Sequence, residues 1–178
     1  YGMHAWRTQA DAEYVRDVGL HKTASYTTTW PLVTWALLAW KELSQLDKLI
    51  EFADRAWVIF QYVDDYLWIF GEPDTTWKSV VSDILEWKAT LLSYYMWNKA
   101  SDIERGSFRN YYWMTDADAK ELSQIKHLLT DSWAVAYLHE QIDYEYELAI
   151  KLIPEITQES DYQQLLQSLL DYFIKRNK

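Results

Sequence analysis

Two adjacent carboxylates, Asp64 and Asp65, are the residues whose types and spacing most directly suggest chemistry in this sequence. They follow Phe60-Gln61 near the C-terminal end of a long segment with helical apolar spacing, 44–70. Like charges this close repel each other unless a cation neutralises them or solvent screens them. Carboxylate oxygens suit Mg²⁺, which usually takes one or two of them together with substrate phosphates. Taken alone, however, the pair is explained better as a solvated acidic helix end.

Three lysines could supply the positive charge that a diphosphate needs. Lys22 opens Lys22-Thr23-Ala24, Lys78 lies shortly after the acidic pair, and Lys88 opens Lys88-Ala89-Thr90. A lysine ammonium binds phosphate as a point charge. Carboxylates that could hold Mg²⁺, with lysines on both sides along the chain, would suit a diphosphate. Each lysine taken singly is explained better as a solvated surface residue, and the sequence leaves open whether the three converge.

The elements that must position these residues are helices. The 178 residues include 4 Gly and 3 Pro, so few residues would interrupt a helix. Apolar residues recur at three- and four-residue spacing. One such stripe runs from Leu46 to Val63. We therefore predict an all-α chain of about seven helices. Their expected ranges are 2–18, 22–41, 44–70, 82–100, 116–131, 133–158 and 161–175.

The interruptions between these helices are marked by turn and capping residues. We expect loops at 71–74 and around 102–110, where Gly106 stands. Thr115, with Asp118 three residues on, resembles a helix N-cap, and Ser160 with Gln163 predicts a capping box before the last helix. Pro154 is expected to kink or end the preceding helix. The polar run 144–147 is expected to form a partly solvated helix face.

Composition excludes several classes of function. With 17 Lys and Arg against 27 Asp and Glu, the net charge is −10, which argues against nucleic acid as the main partner. The chain contains no Cys, so it has no disulfide, no thiolate metal site and no cysteine nucleophile. No apolar run reaches the length of a membrane span, and no signal peptide is visible. We expect one soluble, cytoplasmic domain or a piece of a larger one.

The ordered series of motifs resembles the trans-isoprenyl diphosphate synthases, the family of farnesyl and geranylgeranyl diphosphate synthases. The resemblance spans most of residues 1–100 and extends to the closing Phe173-Ile174-Lys175-Arg176. It implies the C-terminal part of the isoprenoid synthase helical bundle. The motifs that carry it are, in chain order, Lys22-Thr23-Ala24, Pro31-Leu32, Ala36-Leu37-Leu38-Ala39, Phe60-Gln61, Asp64-Asp65-Tyr66-Leu67, Ile69-Phe70-Gly71, Lys78, Ser82-Asp83 and Lys88-Ala89-Thr90.

The resemblance also implies a reaction and roles for residues. Family members join isopentenyl diphosphate head to tail with an allylic diphosphate, which is ionised with the help of Mg²⁺. By position, Asp64 would bind Mg²⁺ and Asp65 would support it, whereas Thr23 and Gln61 would line the reacting centre. The substrate diphosphate would be bound by three lysines, Lys22, Lys78 and Lys88.

Departures from the family pattern bear on activity. The family uses two aspartate-rich motifs, and Asp64-Asp65 corresponds to the second; no Asp-Asp pair precedes it here. The resemblance therefore implies that 1–178 is a single partial domain, the C-terminal half of a polyprenyl synthase domain, inactive alone and homodimeric in its full-length form. Trp68 stands where the full motif has a third aspartate and where many members have glycine. A non-catalytic subunit that binds or regulates an active partner is the alternative. A terpene cyclase fits the motifs less well, and an unrelated tryptophan-rich bundle fits least.

Tryptophan is abnormally frequent and glycine abnormally rare. The chain has 11 Trp and 4 Gly, whereas a glycine frequency of about 7% predicts roughly 12 Gly. An indole in place of a core glycine would overpack it by about 1–3 kcal/mol per site. Some bacteria read the codon UGA as glycine where another table reads tryptophan, so we hypothesise a translation artefact; a real tryptophan-rich protein is the alternative. The Trp residues at family Gly positions are 6, 30, 35, 40, 57, 68, 77, 87, 113 and 133.

Overall fold

The computed structural model describes residues 11–20, 27–71, 90–112 and 118–176, and the regular secondary structure of these residues is helical, without a strand. The prediction of an all-α chain is therefore confirmed. The eight α-helices of these ranges are α1 Ala12–Gly19, α2 Trp30–Leu38, α3 Asp47–Phe70, α4 Leu91–Asn98, α5 Asp102–Tyr112, α6 Ala119–Asp131, α7 Ala134–Ile156 and α8 Ser160–Lys175. None of these helices is both long and apolar enough to cross a membrane.

The chain divides into two compact units, and the two longest helices contribute to both. The first unit comprises Tyr1–Val15 and Asp64–Glu140, and the second comprises Arg16–Val63 and Gln141–Lys178. In the first unit, α5 packs against α4 and α6. Trp97 meets Phe108 edge to face at 5.7 Å between ring centroids, and the Ser132 hydroxyl donates to Met96 Sδ at 3.1 Å.

The helix α3 forms because one stripe of its residues is apolar and buried. Phe52, Ala56, Ile59 and Val63, spaced by four, three and four residues, are at most 3% exposed. Asp47 in the first turn complements the positive end of the helix dipole. Burying a Phe or Ile side chain contributes about 1.5–3 kcal/mol, so this stripe determines how α3 is oriented about its axis.

The loop prediction at 102–110 failed because capping hydrogen bonds at the start of the segment outweighed the helix-breaking tendency of Gly106. The loop expected at 102–110 is α5, because the Ser101 backbone N–H donates to Glu104 Oε2 at 2.8 Å and the Glu104 N–H returns to Ser101 Oγ. The hydrogen bonds from the Ser101 side chain and backbone lower the pKa of Glu104. Gly106 is exposed inside α5, with nothing within 4 Å of where its Cβ would stand. Its entropic cost of roughly 0.5–1 kcal/mol is therefore tolerated.

The other predicted caps also differ from those observed. Asp118 is itself the N-cap of α6 and accepts from the Glu121 N–H at 2.8 Å, whereas Thr115 lies outside the described residues. The Ser160–Gln163 capping box is wrong, because Glu159 is the N-cap of α8 and the Gln163 amide donates to the Thr157 carbonyl at 2.8 Å. Pro154 lies inside α7, which ends two residues later at Ile156.

A buried carboxylate in the second unit is held between two arginines. The side chain of Glu145 is 7% exposed, so the expectation of a solvated face at 144–147 was wrong for this residue. Arg16 Nε donates to Glu145 Oε1 at 3.0 Å, and Arg55 Nη1 donates to Oε2 at 2.7 Å. Burial alone would lower the pKa of Arg55, but hydrogen bonds to Glu51 and Glu145 and their charges raise it. The four side chains together are electrically neutral, which is what a buried ionic group requires.

Two residues have backbone conformations that favour glycine, and both are tryptophans. Trp40 has φ 63° and Trp133 has φ 69°; no described glycine has a positive φ. Trp40 follows the end of α2 in a Schellman motif. Its N–H donates to the Leu37 carbonyl at 3.0 Å, and the Lys41 N–H donates to the Ala36 carbonyl at 3.1 Å. The left-handed conformation costs a residue with a Cβ about 1–2 kcal/mol.

We predict that Trp40→Gly stabilises the protein by about 1 kcal/mol, because glycine adopts this conformation without steric cost. The indole of Trp40 is 94% exposed, so little packing is lost. Trp35→Gly is the matched control: Trp35 is 72% exposed but lies within α2, where glycine costs roughly 0.5 kcal/mol. Urea unfolding of both variants measures the difference. Destabilisation by both would contradict the assignment of a glycine position at 40.

We also predict that Glu145→Gln lowers the free energy of unfolding by about 2–3 kcal/mol, since it leaves two arginines facing a neutral amide. Glu155→Gln is the control, because the pair of Lys48 and Glu155 is about half exposed at 3.4 Å. A surface pair contributes at most about 1 kcal/mol. The comparison is made by chemical denaturation at low salt. Equal losses in the two variants would show that burial of Glu145 is energetically unimportant.

Candidate functional site

The acidic pair lies near the C-terminal end of α3, as the sequence indicated. Asp64 and Asp65 are both half-buried, within the helix and not in the loop that follows it. Neighbouring helical residues are separated by about 100° around the axis, so these two carboxylates cannot point the same way. A ligand bound by both carboxylates must therefore lie between them, over the face of α3 that separates the two side chains.

That face of α3 also carries a predicted reaction-centre residue. Gln61 precedes Asp64 by three residues and Asp65 by four, and Trp68 follows them by four and three. Residues at these spacings lie on one side of a helix. All four are half-buried, whereas the stripe of Phe52, Ala56, Ile59 and Val63 is fully buried. Gln61 and the carboxylates therefore lie away from this deeply buried stripe and keep part of their surface exposed.

Aromatic contacts of Tyr66 and Phe70 hold the C-terminal end of α3, on a different face of the helix from the carboxylates. In the first unit, Tyr66 stacks on Phe70 at 4.8 Å and meets the His139 ring edge to face at 5.2 Å. The ammonium of Lys126 lies 5.9 Å from the centre of the Phe70 ring. Tyr66 adjoins Asp65, so these contacts limit the movement of the carboxylates.

A second aromatic cluster lies in the second unit beside Gln61. Phe60 stacks on Trp57 at 5.0 Å and meets Phe173 of α8 edge to face at 5.2 Å. The Arg176 guanidinium lies 3.9 Å from the centre of the Phe60 ring. The Phe60 ring is therefore a packing element. These contacts connect the C-terminal helix α8 to the turn of α3 that carries Gln61.

A hydrogen bond between α3 and the start of α2 was not found by sequence reasoning. Thr29 Oγ1 donates to Asp54 Oδ1 at 2.7 Å. Residues 27–29 form a π-helical turn that runs into α2, and such turns are frequent near functional sites. A run of three threonines before a proline was the available signal, because hydroxyls at a helix start seek hydrogen-bond partners. The buried Glu145 was also missed, although its place in the apolar periodicity of α7 was a signal.

The remaining predicted site residues lie outside the described residues. Lys22 and Thr23 fall in 21–26, and Lys78 and Lys88 fall in 72–89. Of the predicted set, the described part of the chain includes Gln61, Asp64 and Asp65, which lie at helical spacing along α3. Within the described ranges, no three His, Cys, Asp or Glu residues cluster closely enough to hold a metal by themselves. Two carboxylates as the donor set fit Mg²⁺ when substrate phosphates complete its coordination.

Comparison with curated proteins identifies relatives that are named as prenyl diphosphate synthases. The chain is 30% identical over 139 residues to the geranylfarnesyl diphosphate synthase of Aeropyrum pernix, which covers 76% of this chain and 42% of that protein. It is 29% identical over 123 residues to an all-trans-nonaprenyl-diphosphate synthase (geranyl-diphosphate specific) of Rhodobacter capsulatus, covering 69% and 37%. The chain thus spans less than half the length of these relatives.

Solved structures show the same fold. A geranylgeranyl pyrophosphate synthase from Corynebacterium glutamicum, complexed with isoprenyl diphosphate and magnesium, matches with a TM-score of 0.81 at 24% identity, over 93% of this chain and 47% of that one. A decaprenyl diphosphate synthase from Rhodobacter capsulatus matches with a TM-score of 0.79 at 20% identity, over 96% and 52%. The polyprenyl synthetase family model matches residues 3–129. Because that match covers most of the sequence, the chain belongs to the polyprenyl synthetase family.

Proposed function

We propose that this chain is part of a polyprenyl diphosphate synthase and presents one carboxylate pair to the Mg²⁺-bound diphosphate of an allylic substrate. The observation that carries the proposal is the shared face of α3, where Gln61, Asp64 and Asp65 are half-buried beside a fully buried apolar stripe. Membership of the polyprenyl synthetase family supports the same reaction class.

The proposed reaction joins isopentenyl diphosphate to an allylic diphosphate. The allylic C–O bond breaks, and pyrophosphate leaves with the electron pair. The double bond of isopentenyl diphosphate then attacks the allylic carbocation, which forms the new C–C bond. Loss of a proton to the pyrophosphate restores a double bond in the lengthened chain. The two substrates supply every atom, electron pair and proton that this reaction exchanges.

The residues of this chain would act by binding, orientation and charge. Asp64 would bind Mg²⁺ and Asp65 would support it, and Mg²⁺ supplies neutralisation of the departing pyrophosphate when bound. Gln61 would lie along the reacting centre with Thr23, where their dipoles steady the carbocation. The three lysines of the sequence prediction, Lys22, Lys78 and Lys88, would bind the diphosphates.

A non-catalytic subunit that binds or regulates an active partner is the second candidate. In that case the chain would complete or regulate an active partner. For either candidate we propose a cytoplasmic setting, with a homodimer in the full-length protein and the 1–178 chain inactive when isolated.

We predict that the isolated chain binds inorganic pyrophosphate only when Mg²⁺ is present, and that Asp64→Asn weakens this binding roughly 10- to 100-fold. Removing one charged oxygen ligand leaves the cation with a single protein carboxylate, which explains the loss. Isothermal titration with and without EDTA measures the affinity. Incubation of the same protein with isopentenyl and geranyl diphosphates tests for product in parallel.

Asp143→Asn is the matched control, because Asp143 is an exposed carboxylate on α7 and its removal changes the net charge equally. Its pyrophosphate affinity is expected to equal that of the wild type. Binding that is independent of Mg²⁺, or equally weakened by both substitutions, would refute the role of Asp64. Binding without product formation would favour a half-synthase or a non-catalytic subunit over a self-sufficient enzyme.

A further inference from the structure

We propose that positions 40 and 133 are glycine in the protein as its own cell makes it, and that one codon decoded there as glycine is read here as tryptophan. The two described non-glycine residues with positive φ are Trp40 and Trp133. Indole has no property that favours this conformation, whereas glycine is the residue most often found there.

Hydrogen bonds show that both tryptophans lie where a helix ends in a glycine-type cap. The Trp133 N–H donates to the Thr130 carbonyl at 3.2 Å after the end of α6, as the Trp40 N–H donates to Leu37 after α2. At position 40 the two Schellman hydrogen bonds close around a left-handed residue, and at position 133 the φ of 69° places the residue in the same region. The described glycines do not occupy such positions, and Gly106 lies inside a helix instead.

Exposure provides a second observation that does not depend on φ. The structure describes seven of the 11 tryptophans, and the exposed fractions are 60% for Trp30, 72% for Trp35, 94% for Trp40 and 71% for Trp133. A tryptophan contributes to stability mainly by burying its large ring. Four largely exposed indoles on so short a chain therefore contribute little that would explain their presence.

A single reassigned codon accounts for all three anomalies together. The codon UGA specifies glycine in some bacteria and tryptophan under another translation table. Reading it as tryptophan would remove glycines and add tryptophans at the same positions, and 4 Gly with 11 Trp is that pattern. It would also place indoles at Trp40 and Trp133, where the backbone conformation favours glycine. Trp30 and Trp35 would carry indoles on the exposed surface, where the ring is not buried.

A glycine at position 68 would also change the candidate site, a statement that rests on the proposed function. Trp68 lies one helical turn after Asp64 on the same face of α3. An indole there occupies space beside the carboxylates that a cation and a diphosphate would need. With glycine at 68, that space would be open, so the native protein would bind Mg²⁺-pyrophosphate more tightly than the tryptophan form.

The decisive experiment reads the codons at 40 and 133 in the gene and measures the masses of the peptides that contain these positions in protein from the source cells. We expect UGA codons and glycine-containing peptides. UGG codons, or tryptophan in the peptides, would overturn the inference. This result does not depend on whether the chain binds a diphosphate, so failure of the proposed function would be recognised separately.

Stability and binding measurements on purified variants test the same assignment. The double variant Trp40→Gly with Trp133→Gly is expected to lower the equilibrium constant for unfolding at least about tenfold. No gain in stability would overturn the assignment of glycine-type backbone. In that background, Trp68→Gly is expected to tighten Mg²⁺-pyrophosphate binding severalfold, with Trp35→Gly, which is remote from the carboxylates along the chain, as the matched control. Equal effects of these last two substitutions would refute the consequence at the site.

Discussion

Burial of one stripe of α3 is the constraint on which the rest of the structure depends. Phe52, Ile59 and Val63 are almost completely buried, and each adds about 1.5–3 kcal/mol to the preference for one rotation of the helix. A helix has a fixed angular period, so the position of its buried stripe determines the position of every other residue. Gln61, Asp64 and Asp65 are consequently held on a half-buried face of the helix.

The electrostatic surroundings of Glu145 can be compared with those of Asp64 and Asp65. Glu145 is surrounded by Arg16 and Arg55, and Glu51 completes a neutral set. Such a group serves structure, because every charge already has a partner of opposite sign. Asp64 and Asp65 are adjacent like charges on a half-buried helix face, so a bound cation would reduce the repulsion between them.

The helix ends show how backbone geometry can indicate a residue that the printed sequence lacks. Schellman bonds around Trp40 hold the chain in the left-handed region whatever side chain is attached. The second unit and the first each contain one such position, at 40 and 133. The abnormal count of tryptophans was apparent from the sequence, but which tryptophans conflict with their backbone was not. Helix-end geometry adds that distinction because φ is set by the hydrogen bonds of the neighbouring turns.

The sequence by itself determined the helical class, the long helix that carries Asp64 and Asp65, and the family resemblance. Local spacing is sufficient for these features because helix periodicity and motif order are properties of consecutive residues. It predicted a loop at 102–110 wrongly, since the weight of Gly106 was judged without the cap from Ser101 and Glu104. The burial of Glu145 and the bond from Thr29 to Asp54 join residues that are distant in the chain. Only the tertiary structure decided these, because contacts between helices depend on how whole helices pack and not on the pattern within any one of them.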